Sequence, residues 1–213
     1  MKAIVQERYG SPDVLELREI DRPNVEDDEV LVRVRAASVH ADVWHAVHGV
    51  PYVLRIMGSG LRAPKHHVPG TDLAGQVESV GRNVTRFRPG DEVFGQTLTA
   101  NLWRNGGAYA EYAATPETGL ELKPDLLTFE QAGAVPTSGS LAVQAVRDEG
   151  RTRSGQSVLI NGAGGAVGTF AVQLAKAYGA NVTGVDAPEK LDVLRAIGAD
   201  QVLDYTQDDF TRR

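Results

Sequence analysis

Residues 157–168 read Ser-Val-Leu-Ile-Asn-Gly-Ala-Gly-Gly-Ala-Val-Gly, a short apolar run that breaks into glycines and then takes up helical spacing. A strand that turns sharply into a helix aims the unpaired amides of the helix start at one point, and these donors with the helix dipole favour an anion, most often a phosphate. Glycine lets a diphosphate approach the backbone and lets helix and strand pack closely. Gly162, Gly165 and Gly168, with an extra Gly164 and with Ala163, Ala166 and Val167 between them, depart from the strict G-x-G-x-x-G spacing. The setting supplies what the triplet lacks: a strand before it, a helix after it, and a second apolar run that ends at Asp186. A carboxylate there can bond the adenosine ribose hydroxyls and repels a 2′-phosphate, which favours NAD over NADP. Lys190, four residues on, is either a partner for that phosphate or a solvated helix lysine. A tight strand-to-helix turn with no ligand is the plain alternative for the whole feature.

The elements that must hold this turn follow from the pattern around it. Val167, Phe170, Ala171, Leu174 and Tyr178 share one helical face, and Gly179 stops the helix. Residues 181–185 predict a second strand, 188–197 a second helix entered through Pro188, and 201–203 a third strand. Strand–helix–strand–helix–strand predicts a parallel sheet. Thr128 with Gln131 has capping-box spacing, and a further helical run follows Pro136 to about Arg147. The first 120 residues read differently, as strands punctuated by turns. Val30, Val32 and Val34 alternate with Leu31, Arg33 and Arg35, a half-buried strand. Weaker strand signals lie at 2–6, 15–20, 73–80 and 108–114, Asp42–His48 predicts a short helix, and 49–69 a long loop. This change of pattern places a boundary at 122/123, with one domain over 1–122 and half of a dinucleotide-binding domain over 123–213.

Composition removes several classes of function. Lys plus Arg is 22 against 28 for Asp plus Glu, a formal charge of −6, so no dense basic face is available for nucleic acid or an acidic membrane. There is no cysteine among 213 residues, which excludes disulfides, Cys-ligated zinc, iron–sulfur centres and a thiol nucleophile. No apolar run reaches the roughly 18 residues of a membrane span, and the chain turns charged too early for a secretory signal. A soluble, cytoplasmic protein with a small-molecule substrate is the expectation.

Several further segments carry a resemblance. Residues 36–40 (Ala-Ala-Ser-Val-His), 69–75 (Pro-Gly-Thr-Asp-Leu-Ala-Gly), 89–95 (Pro-Gly-Asp-Glu-Val-Phe-Gly), 106–112 (Gly-Gly-Ala-Tyr-Ala-Glu-Tyr), the glycine turn and 191–205 are arranged, in order, as in the medium-chain dehydrogenase/reductase superfamily. The chain is most similar to its zinc-independent, quinone-oxidoreductase-like branch. The resemblance implies an α/β protein with an N-terminal GroES-like β-rich catalytic domain followed by a Rossmann domain. It also implies hydride transfer between NAD(P)H and a quinone, activated alkene or carbonyl. Zinc-dependent relatives place Cys where His40 stands and His where Thr71 stands, so the resemblance implies no zinc. His40 stands where zinc-free relatives often carry Asn, and Tyr52 matches an active-site Tyr; both are catalytic candidates. NADPH-using relatives bind the 2′-phosphate through a Lys and a Tyr matching Lys190 and Tyr205, but with a small neutral residue in place of Asp186, so NAD versus NADP stays open. Leu141 stands where many relatives carry Thr near the nicotinamide. Relatives are often homodimers when full length.

All five histidines fall between 40 and 67, which admits an unusual metal site, although zinc needs three convergent ligands. His40 suits hydrogen-bond or proton donation because imidazole titrates near neutrality; bonding to nearby backbone is its ordinary alternative, and a shielding loop aromatic is that of Tyr52. A full Rossmann sheet has six strands and only three are foreseen, with a further helix starting after Thr206, so the chain is expected to be partial and, alone, to bind cofactor weakly and turn over little or nothing. The competing reading is a catalytically silent dinucleotide-binding protein that senses redox state or assembles with partners.

Overall fold

Val30 and Val32 are fully buried in a long strand whose neighbours on both sides run antiparallel, and this pairing organises the first half of the chain. The structure is a computed structural model and describes residues 1–98, 106–207 and 209–210. The chain divides into two compact units, Met1–Pro136 and Thr137–Arg213.

The first unit opens with a hairpin-like pair, β1 (Lys2–Gln6) and β2 (Leu15–Glu19), in antiparallel register. It continues through β3 (Glu29–Ala37), α1 (Ala41–His48), β4 (Asp72–Val80), β5 (Glu92–Gln96), β6 (Tyr112–Pro116), β7 (Leu120–Leu122) and α2 (Phe129–Gly133). Five of these strands form one antiparallel sheet in the order β6-β3-β4-β5-β7. Val30, Val32, Leu73, Val77, Val93 and Leu120 close its core. Fully burying each such side chain stabilises the fold by about 1.5–3 kcal/mol. The β-branched residues suit a pleated surface, and their alternation fixes which face is covered. Leu31 is buried as well, so β3 is covered on both faces near its start rather than half-buried.

Two departures from the sequence reading have local causes. The strand expected at 108–114 forms at Tyr112–Pro116, because the amides of Gly107, Ala108 and Tyr109 are taken by the carbonyls of Val68, Gly70 and Pro69. Strands β5 and β7 are short, five and three residues, so alternation alone does not announce them. Residues 49–69 lack strands, as expected, but hold a wide helical turn at Arg55–Ser59. The capping box forms: Thr128 and Gln131 exchange side-chain-to-amide bonds of 3.2 and 3.0 Å at the start of α2, which packs on β3 and β4.

The second unit contains α3 (Pro136–Val143), β8 (Ser157–Asn161), α4 (Ala166–Ala177), β9 (Asn181–Asp186), α5 (Leu191–Ala196) and β10 (Gln201–Asp204). Its sheet is parallel, in the order β10-β9-β8. Asn161 lies opposite Val185 and Asp186 opposite Asp204, so the carboxyl ends of all three strands meet along one edge. The buried residues of α4 are Gly168, Ala171, Val172 and Ala175, a narrow stripe of small side chains at helical spacing that brings the helix close to the sheet. Val182, Leu194, Ala163 and Ala180 complete this core. Among the described residues β8 has a strand partner on one edge only. The helix expected after Thr206 falls partly outside the described residues. No helix among the described residues is long and apolar enough to cross a membrane.

Candidate functional site

Strand β8 ends at Asn161 and the chain reverses through Gly162, Ala163, Gly164 and Gly165 before α4 begins. The turn is fastened from behind. The amides of Gly162 and Ala163 donate to the carbonyl of Val185 on β9, at 2.9 and 3.1 Å. Gly162 has a positive φ of 73°, a region that side chains with a Cβ rarely adopt. A Cβ on Gly168 would run into the Gly162 carbonyl and the backbone of Ala163, so the first turn of α4 can lie against the loop only because that residue has none. Gly165 caps the helix with no side-chain acceptor. The amides of Ala166, Val167 and Gly168 therefore have no partner among the described residues, as the start of an uncapped helix leaves them. Three unpaired donors at a positive helix end, with no Cβ at Gly164 or Gly165, form a cradle for an anion. These residues fit a dinucleotide diphosphate.

Asp186 ends β9 beside this turn and is 7% exposed. Its Oδ2 accepts from the Gly164 amide at 2.7 Å, and its Oδ1 accepts from the Ala187 amide at 2.8 Å and faces Lys190 Nζ at 3.3 Å. Burial opposes ionisation here, but the two amides and the ammonium outweigh it and hold the carboxyl below the usual carboxylate range. The Lys190 stem packs against Gly164, so acid, lysine and turn form one cluster. Tyr205 follows β10, with its amide 3.4 Å from the Asp186 carbonyl and its side chain half exposed. The structure thus brings Gly162, Gly164, Asp186, Lys190 and Tyr205 to the same strand-end edge. The latch from Asp186 to Gly164 is beyond sequence reasoning, because it depends on how β9 lies beside β8. Leu141 lies on α3 and is partly exposed.

In the first unit His40 is the N-cap of α1. Its Nδ1 accepts from the Asp42 amide at 3.2 Å and lies 3.5 Å from the Asp42 carboxylate, with the side chain 10% exposed. Tyr52 follows the C-terminal end of the same helix and is 70% exposed. No hydrogen bond or ring contact among the described residues joins His40 to Tyr52. Arg55 organises the loop around Tyr52. It donates from Nε to the Gly49 carbonyl at 2.8 Å and from Nη2 to the His48 carbonyl at 3.3 Å, and its guanidinium lies over the rings of Tyr9 at 4.2 Å and Tyr52 at 4.8 Å. Tyr9 in turn donates from its hydroxyl to the Gly60 carbonyl at 2.7 Å. Arg55 and Tyr9 escape sequence reasoning because their link crosses more than forty residues of chain.

Thr71 is buried and donates to Asp72 Oδ1 at 3.2 Å; Asp72 itself is fully buried. Tyr109 donates to the Ser38 carbonyl at 2.9 Å, and burial, reinforced by the nearby Asp72, pushes its phenol up to about 12. His45, His48 and His67 each direct Nδ1 at a backbone carbonyl, at 2.9, 3.0 and 3.1 Å. Among the described residues no three His, Asp or Glu side chains converge as a metal site would need.

Comparison with known proteins agrees with these features. The alcohol dehydrogenase GroES-like domain family matches residues 26–125, and the zinc-binding dehydrogenase family matches residues 166–213. The chain is 36% identical over 216 residues to 2-methylene-furan-3-one reductase of Solanum lycopersicum, covering 99% of this chain and 53% of that protein. It is 38% identical over 218 residues to the chloroplastic NADPH-dependent alkenal/one oxidoreductase of Arabidopsis thaliana, covering 98% and 53%. Among solved structures, the quinone oxidoreductase of Coxiella burnetii superposes with a TM-score of 0.88 at 31% identity, over 100% of this chain and 64% of that one. The chain spans about half the length of the curated relatives it matches. Matches of both halves in the same order, with one relative after another among the quinone and alkenal reductases, establish that the chain belongs to the medium-chain dehydrogenase/reductase superfamily, in its quinone-oxidoreductase-like branch.

Proposed function

We propose that this chain serves an NAD(P)H-dependent oxidoreductase that moves a hydride between a nicotinamide cofactor and a quinone, an activated alkene or a carbonyl, without zinc. The observation that carries the reading is the turn at 161–168, where three amides without a partner among the described residues meet beside the Asp186–Gly164 latch. A bound nicotinamide cofactor supplies the hydride. The amides of Ala166, Val167 and Gly168 would hold its diphosphate, and Asp186, Lys190 and Tyr205 are the residues that would hold the adenosine ribose. The names of the relatives, a furanone reductase and an NADPH-dependent alkenal/one oxidoreductase, support acceptors with a carbonyl conjugated to an alkene. His40, with one ring nitrogen unpartnered among the described residues, donates a hydrogen bond to the acceptor oxygen, and Tyr52 closes over the acceptor. A metal-free route suits this donor set: the chain has no cysteine, and His40, His45, His48 and His67 already direct Nδ1 at backbone groups.

The acid–lysine pair bears on cofactor choice. Asp186 alone would repel a 2′-phosphate, but Lys190 lies 3.3 Å away and offsets its charge. The pair therefore accepts both cofactors, with less than about tenfold discrimination, which is about 1.4 kcal/mol. The test is oxidation of NADH and of NADPH by the full-length protein with 1,4-benzoquinone, 1,4-naphthoquinone and 2-alkenals. Turnover with either cofactor on any of these acceptors is the expected result. Tight cofactor binding with no turnover on every acceptor would sink the redox reading and leave a dinucleotide-binding protein.

A further inference from the structure

His40 has two ring nitrogens in unlike surroundings. Nδ1 accepts the Asp42 amide and thereby caps α1; Nε2 has no hydrogen-bond partner among the described residues. A nitrogen that accepts an N–H bond carries a lone pair, so the neutral ring bears its proton on the other nitrogen. We infer that the N-cap of α1 is what fixes the reactive form of His40: it commits the neutral imidazole to the Nε2–H tautomer and turns that N–H outward as the donor to the substrate oxygen. The inference rests on the proposed role of His40 and adds its cause.

The helix start does two things at once. It needs an acceptor at the cap to satisfy one of its orphan amides, and satisfying it with one edge of a two-edged side chain leaves the other edge free as a donor. Nδ1 faces a second group, the Asp42 carboxylate at 3.5 Å, but that distance is beyond a hydrogen bond, and the carboxylate becomes a partner only for a ring carrying two protons. The Asp42 amide is thus the positioning group, and no substitution at 42 other than proline removes it. By the same logic Asn is an equivalent choice at this position. Its Oδ1 can cap the helix while its Nδ2–H donates. Asp can cap but has nothing to donate, and Ala can do neither.

These four side chains separate the roles. Long-range 1H–15N spectra of histidine-labelled protein at pH 8, where an ordinary imidazole is neutral, report the tautomer directly, with the His40 signals identified by their loss in His40→Asn. The expected result is an unprotonated Nδ1 and a protonated Nε2. His40→Asn and His40→Asp should melt with the wild type, whereas His40→Ala melts roughly 2–4 °C lower. In the full-length protein with saturating NADPH and 1,4-naphthoquinone, His40→Asn should keep turnover within about tenfold, while His40→Asp and His40→Ala fall by roughly a hundredfold, the loss usual for one preorganised donor. A proton on Nδ1 overturns the inference together with donation from Nε2, whereas a His40→Asp variant that melts as low as His40→Ala overturns the inference and leaves the donor role standing. A wild-type tautomer with full turnover in His40→Asp instead overturns the donor role, and with it this proposal.

Discussion

The glycine turn and the loop around α1 are built from opposite materials. In the turn, main-chain amides are the groups that would face a ligand, and side chains matter mostly by their absence, as at Gly168. Around α1, the groups that would face a substrate are side chains, His40 and Tyr52, held by a cap and by the Arg55 stack. A backbone site is fixed by the path of the chain, so it breaks when a single carbon is added. A side-chain site survives such changes and breaks by loss of function without loss of fold.

The largest test of this contrast is Gly168→Ala. Its methyl group has backbone on the far side with no room to yield, so cofactor affinity should fall by more than about a hundredfold and the second unit should lose about 2–4 kcal/mol. Titration with NADPH and denaturant unfolding read both effects. Unchanged affinity would show that the helix start is not the anion cradle. Next in size is Asp186→Asn, which weakens a charged hydrogen bond to Gly164 and should cost about 1.5–3 kcal/mol at pH 7. Its pH dependence has a definite sign. The folded-state pKa of Asp186 is depressed, so its stabilisation is present above the unfolded value of about 3.9 and is lost as pH falls through the lower folded value. In Asp186→Asn the stability curve should be flatter in acid than that of the wild type. An equally steep acid limb in both proteins would mean that other carboxylates dominate.

Lys190→Ala is the finer probe of the same edge. It leaves Asp186 without its counter-charge, so KM for NADPH should rise roughly tenfold while KM for NADH changes little. Equal changes for both cofactors would remove Lys190 from the discrimination. The smallest expected effect lies in the other unit. Tyr109→Phe removes a hydrogen bond to the Ser38 carbonyl, two residues before His40, and should cost about 0.5–1.5 kcal/mol with little change in cofactor affinity. If cofactor affinity moved with it, the division of labour between the two regions would fail.

The same contrast governs what could be read from sequence. The turn was legible because glycine spacing, an apolar strand and a helical stripe are local patterns, and the end of β9 at Asp186 follows from the next apolar run. The helices after Thr128 and at Asp42–His48 were legible for the same reason, each being announced by a cap or a short period. What was not legible depends on residues far apart in the chain. The Asp186–Gly164 latch spans 22 residues and the Tyr9–Gly60 bond 51. Strands β5 and β7 find their places by pairing with β4 and with each other, not by any strong alternation of their own. The capping role of His40 is not announced by residue type, because histidine is an uncommon cap.

The Tyr9–Arg55–Tyr52 stack gives the amino-terminal segment a say in what happens forty residues later. A mutant library confined to the neighbourhood of position 9 would sample different reaches and tilts of the Tyr52 ring without altering any residue of the segment that carries it. With Tyr52 in its proposed role, selectivity between bulky and slender acceptors would be tunable from a place that no inspection of the Tyr52 loop alone would nominate.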